Sequence, residues 1–194
     1  MRPRSGSLDA TASAHSSIRP VGRRTSTCCL PGVDPRAGVV LDIGANEGDW
    51  TASLLQVFPE SVVIAAEPGS EPRAMLERRF ADAGYVRIDP RAVSDLPGPV
   101  QHLVGEEPVS VLKLDVQGGE LAVLRSGRRV LENTAAVLVE VLFLPHYEGY
   151  AIFPDLHKSM TEIGFTLIDL SAPFHLDGGP ALWADACYAR LPGA

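Results

Sequence analysis

The sequence predicts an α/β fold, a doubly wound and mostly parallel sheet that closes with an antiparallel last strand, and three observations predict it. Short apolar runs such as Val39–Ile43, Val62–Ala66 and Ala136–Phe143 lack alternation, as strands buried on both faces of a parallel sheet do. Between such runs, apolar residues recur at helical spacing. The closing segment, Leu182–Leu191, follows the sixth run with only a loop between them, so it returns antiparallel.

The first run ends at Gly44, where a loop of Gly44, Asn46 and Gly48 leads into a helical pattern of Trp50, Leu54, Val57 and Phe58 that Pro59 stops. Asp49 is placed to cap that helix. In a strand–loop–helix unit, glycines let the backbone approach a ligand closely, and the free N–H groups at the helix start favour acceptor-rich groups. The spacing departs from the G-x-G-x-x-G of dinucleotide sites, with Asn46 as the residue that tolerates left-handed geometry best after glycine. That argues against a nicotinamide dinucleotide and for another nucleoside ligand.

The second run, Val62–Ala66, ends on Glu67. A carboxylate about 20 residues past the glycine loop, at the tip of the adjacent strand, is placed to accept from both hydroxyls of a ribose. Ser70 and Pro72 then open a helix carrying Leu76, Phe80 and Ala83 until Gly84, and Tyr85–Ile88 is a short third strand. From Arg91 to Pro108, Pro97, Gly98, Pro99, Gly105 and Pro108 break any long helix, so residues 95–109 are expected to cross as extended chain. Val109–Val116 is the fourth strand and delivers Asp115 to its carboxyl end, beside the Gly44 loop at the point where strand order reverses. Asp115 reads equally well as an N-cap for the helix holding Leu121 and Leu124. Lys113, inside this apolar strand, either snorkels or pairs with a carboxylate.

Glu140 is the single charge in the fifth strand, Ala136–Phe143, and a buried charge is costly unless paired or functional. A polar and aromatic loop with His146, Tyr147, Glu148 and Tyr150 follows. Phe153, Leu156, Met160 and Ile163 make the next helix, which Gly164 ends, and Phe165–Leu170 is the sixth strand.

At 194 residues with 45% hydrophobic content, the chain fits one globular domain with a real core, and no apolar stretch approaches a membrane span. The net charge of −7 is uneven. Residues 1–36 carry six Arg against Asp9 and Asp34, a balance of +4 that leaves −11 for the rest, which argues against a nucleic-acid-binding body. Residues 1–38, rich in Ser, Thr, Arg and Pro, are expected to be a disordered extension ahead of a domain at 39–194. Arg23-Arg24 lacks an apolar segment after it, so export is not expected. Cys28, Cys29 and Cys187 show no metal-ligand spacing and fit a reducing, cytoplasmic compartment.

The segments LDIGANEGDW, AAEPGSEP, LKLDVQGGE, the strand with Glu140, HYEG and WADACYAR together resemble the FkbM-family methyltransferases, covering Val39 to Arg190 nearly in order. The resemblance implies a class I methyltransferase fold and transfer of a methyl from S-adenosyl-L-methionine, typically to a hydroxyl of a sugar or secondary metabolite. It places Asp42, Gly44, Asn46 and Gly48 in the methionine-side loop, Glu67 on the ribose, Asp115 after the fourth strand, and Ala92 and Val93 near adenine. The chain departs from the family at Leu96–Pro108, which is shorter than the usual segment and lacks its Thr-Leu-Asp-like element; a missing helix here would uncover one flank of the sheet. For a hydroxyl acceptor, small molecule or glycan, Asp115, Glu140 and His146 are the candidate bases or orienting groups. Their spacing does not point to a metal. Two other readings stand beside this one: a non-catalytic remnant of the fold, and a nicotinamide oxidoreductase, which Asn46 and the antiparallel ending disfavour.

Overall fold

The computed structural model describes residues 32–93, 99–145 and 149–191. Val39–Ile43 (β1), Val63–Ala66 (β2), Val86–Asp89 (β3), Val109–Leu114 (β4) and Ala136–Leu142 (β5) form the parallel part of one sheet. Thr166–Leu170 (β6), the two-residue Phe174–His175 (β7) and Ala181–Ala189 (β8) complete it. The order is β3-β2-β1-β4-β5-β8-β6, with β7 paired to β8. The last strand is antiparallel, and it inserts between β5 and β6 rather than adding at an edge.

Among the described residues, six helices cover the two faces: Asp49–Val57 (α1), Ser70–Arg79 (α2), Pro99–Val104 (α3), Glu120–Ser126 (α4), Arg128–Leu131 (α5) and Phe153–Glu162 (α6). Strand alternation sorts the core into two layers. Leu41, Ile43, Leu112, Leu114, Val137 and Val139 pack with Val100, Val123, Leu156 and Met160 of α3, α4 and α6. On the opposite face, Val40, Val63, Ala65, Val111 and Leu138 pack with Leu54 of α1 and Leu76 of α2. Each large aliphatic side chain so buried contributes about 1.5–3 kcal/mol. Tyr188, fully buried on β8, bonds its hydroxyl to His157 Nδ1 at 3.1 Å. Burial pushes its phenol up to about 12.

Three expectations change. The crossover between β3 and β4 is not simply extended: Pro99–Val104 is helical, and Val100, Leu103 and Val104 are buried against the sheet, so that flank is covered. Proline at a first helical turn removes no needed donor, which is why the Pro-Gly-Pro run does not forbid it. Residues just before 39 also take part in the described fold. Pro35–Ala37 forms a 3-10 turn capped by the Asp34 side chain, Pro35 is buried, and Ser110 Oγ donates to its carbonyl at 2.7 Å. Finally, Gly48 rather than Asp49 caps α1, and Gly119 rather than Asp115 caps α4. No described helix is long and apolar enough to cross a membrane.

Candidate active site

Chain order places the switch point between β1 and β4, because the path runs outward to β3 and returns on the other side of β1. Ligands in open α/β sheets bind beyond the strand tips at such a point. Two cavities open there, of about 430 Å³ and about 370 Å³, and Gly44, Asn46 and Asp115 line both.

The larger cavity is walled mainly by Ile43, Ala66, Glu67, Ala92, Val93 and Val116, with Arg91 and Gln117 at its polar margin. Glu67 is 9% exposed, and its two carboxylate oxygens accept from Asn46 N at 2.9 Å and Gly69 N at 2.7 Å. A carboxylate has about four lone-pair sites, so hydroxyl donors can still be accepted. Gly44 N and Ala45 N both donate to Ala66 O, which ties the loop to the tip of β2. Asn46 and Gln117 hold left-handed φ values of 51° and 56° on this wall, a conformation that side chains seldom adopt outside constrained sites. Arg91 grips Asp89 through Nε and Nη2, and Nη2 also reaches His102 O at 3.1 Å. Hydrogen bonds from Arg91 hold the Asp89 carboxyl below its ordinary range.

The smaller cavity lies between α1 and the sheet face that carries Asp42, Lys113, Glu140 and Asp185. Glu140 and Asp185 are opposite one another in the β5–β8 ladder, and both line the cavity together with Lys113 and Asp115. Arg79 and Asp49 form an ion pair at its mouth at 2.7 Å. Among the described residues, no group of three or more His, Cys, Asp or Glu is placed to hold a metal.

Gly44, Asn46, Glu67, Ala92, Val93 and Asp115 therefore share one cavity, and Glu140 joins Asp115 in the other. Two residues expected in the cofactor loop do not line either one. Asp42 is wholly buried and accepts from Thr51 Oγ1 at 2.6 Å, because alternation turns it toward α1. Gly48 is buried at φ +83°, and a Cβ there would meet Leu76 Cδ1 and Phe80 Cε2 at 2.6 Å, so it serves packing against α2. Gly44 likewise makes room for protein: at φ +78°, an added Cβ would lie 1.9 Å from the Asp115 carbonyl oxygen. His146 lies outside the described residues.

Sequence reasoning missed Asp185, Thr51, Arg91 and Glu120. Glu120 is buried and accepts from Val116 N at 3.0 Å and Gly118 N at 2.8 Å, which shapes the turn after β4. Burial pushes its carboxyl above the ordinary range, with the Asp115 charge adding to the shift and the backbone N–H groups opposing it. Over Gly118 lies the Tyr150 ring, so closely that a Cβ there would be 2.1 Å from it. Only Asp185 left a signal: a lone acid in an otherwise apolar and small-residue strand.

Residues 84–167 match the family model described as the methyltransferase FkbM domain. That match starts after the glycine loop and Glu67, whose placement rests on geometry alone. No curated protein matches the chain. Among solved structures, a ribosomal RNA methylase from Streptococcus thermophilus aligns with a TM-score of 0.57 at 16% identity, over 90% of this chain and 98% of that one. Magnesium protoporphyrin IX methyltransferase from Synechocystis, with bound S-adenosylmethionine, aligns with a TM-score of 0.55 at 14% identity, over 79% of this chain and 70% of that one. A candidate tRNA methyltransferase from Streptococcus pneumoniae aligns with a TM-score of 0.53 at 16% identity over 79% of this chain, which spans 64% of that protein's length. The chain folds as these class I methyltransferases do, and its residues 84–167 are similar to the FkbM methyltransferase domain.

Proposed function

We propose that this chain uses S-adenosylmethionine to methylate a hydroxyl on a sugar or secondary metabolite. The observation that carries the reading is the meeting of two cavities at Gly44, Asn46 and Asp115, one suited to a nucleoside and the other open to an acceptor. Cavities of this size are in the usual range for small-molecule sites.

The fit to the nucleoside is chemical. Glu67 offers carboxylate oxygens to ribose hydroxyls, while Val93, Ala66 and Ile43 give apolar wall for a flat ring, and Asn46 and Gly44 border the methionine end. When bound, the sulfonium supplies a methyl that is already activated for displacement. The protein's own work is then alignment and proton handling. Asp42, away from the ligand, positions the loop through Thr51 and Lys113. Asp115 and Glu140 face the acceptor cavity, where a carboxylate can orient a hydroxyl and take its proton. The excess of acids on that wall, and a body of net charge −11 beyond residue 36, support a neutral acceptor over a polyphosphate.

Calorimetric titration of the purified chain with S-adenosylhomocysteine and with NAD tests the cofactor. Binding of the first alone at micromolar Kd is expected, and Glu67→Gln is expected to weaken it by about 10- to 100-fold, the size of losing a charged acceptor to two hydroxyls. Binding of NAD alone favours an oxidoreductase, and binding of neither favours a non-catalytic remnant. Incubation with a labelled methyl donor and panels of glycans, hydroxylated metabolites and RNA then identifies the acceptor; label in RNA alone overturns the hydroxyl-metabolite reading.

A further inference from the structure

Lys113 lies on the sheet face shared by Asp42 and Glu140, next to Asp42 in the β1–β4 ladder. Its Nζ is 3.1 Å from the Gly44 carbonyl oxygen, 3.4 Å from Asp42 Oδ1 and 3.5 Å from Asp115 Oδ2. The ammonium donates to the Gly44 carbonyl and to Asp115 and forms an ion pair with Asp42, so it ties together β1, the loop after it and the β4 tip. Asp42 is fully buried, whereas Asp115 is open to both cavities, so the ammonium joins an acid that sees no ligand to one that does.

We propose that Lys113 is a positioning residue for the cofactor: it fixes the Gly44 carbonyl and the Asp115 carboxylate in one geometry and offsets the Asp115 charge where the two cavities meet. This rests on the S-adenosylmethionine reading and assigns that site an electrostatic setting. The cofactor enters as a sulfonium cation and leaves as a neutral thioether, so the charge at the junction decides how differently the two are held. Burial works against the charge on Lys113, but the fields of Asp42 and Asp115, with hydrogen bonding, outweigh it, so the ammonium keeps its charge. With Lys113 in place, Asp115 favours the cation less than a lone carboxylate would.

The test is calorimetric titration of the full chain and its variants with S-adenosylmethionine and S-adenosylhomocysteine, read as the ratio of the two Kd values. In Lys113→Met, the ratio is expected to shift toward S-adenosylmethionine by about three- to ten-fold, the scale of one charge at a solvent-open cavity. In Lys113→Arg, which keeps the charge, it is expected to stay within about two-fold of the parent. If both ligands weaken equally in Lys113→Met, or if Lys113→Arg moves the ratio as far, the electrostatic role is overturned and Lys113 is only a structural tie. Should Lys113→Met not fold, Asp42→Asn/Lys113→Met removes the buried pair together; the same shift supports the proposal, and an unchanged ratio overturns it. The parent decides the underlying reading separately: if it binds neither ligand, the cofactor assignment fails and the role of Lys113 fails with it.

Discussion

The two cavities at the strand tips are walled by different means. Around Glu67 the backbone dominates: its carboxylate is clamped by the N–H groups of Asn46 and Gly69, and the loop is pinned to Ala66 O. Beside Glu140 the wall is made of side chains from separate strands, with Glu140 opposite Asp185 across β5 and β8 and Lys113 spanning Asp42 and Asp115. Backbone geometry fixes the first, and on the proposed reading that suits the shared cofactor. The second can be rewritten by substitutions that leave the fold alone, and on the same reading that suits a particular acceptor.

The largest effect should come from breaking the seam between the two. Gly44→Ala places a methyl against the Asp115 carbonyl in a left-handed conformation, so a loss of about 3 kcal/mol or more is expected in urea unfolding, with cofactor binding lost as well. An unchanged midpoint would mean that the β1 and β4 tips are not locked together. Next in size, Asp185→Asn is expected to lower turnover by about ten-fold while leaving the cofactor Kd within about two-fold. Equal losses in both, as expected for Glu67→Gln, would erase the distinction between the two walls.

The smallest effect is in alkaline stability. The folded pKa of Lys113 is raised above its ordinary value of 10.5, so the unfolded chain releases its proton first. The contribution is fully present below the unfolded value and is lost as pH rises through the folded one, with a slope of at most about 1.4 kcal/mol per pH unit. Urea midpoints measured across that alkaline window should fall more steeply in the parent than in Lys113→Met. Parallel curves would show that the ammonium adds nothing to folding.

This contrast also explains what could be read in the sequence. Most of the parallel strands were legible because they are predominantly apolar runs, and the neighbouring positions of Gly44 and Glu67 because one strand–helix–strand unit carries both. The reason for the glycines was not legible: Gly44 and Gly48 yield space to Asp115 and to α2, neighbours that only the tertiary fold supplies. The face that Asp42 takes was not legible, because a strand buried on both sides gives no alternation to reveal it. The helix Pro99–Val104 was hidden by breakers that a first turn accepts. Asp185 could be joined to Glu140 only through the register of a late antiparallel strand.

That late strand has a consequence for how the chain is made. β8 sits between β5 and β6, and among the described residues β6 pairs with the sheet through β8 alone. Gly44 and Glu67 are made long before Asp185, and until β8 emerges β6 has no strand to pair with. A ribosome stalled before residue 181 would thus leave β5 and β6 with open edges inviting proteolysis or self-association.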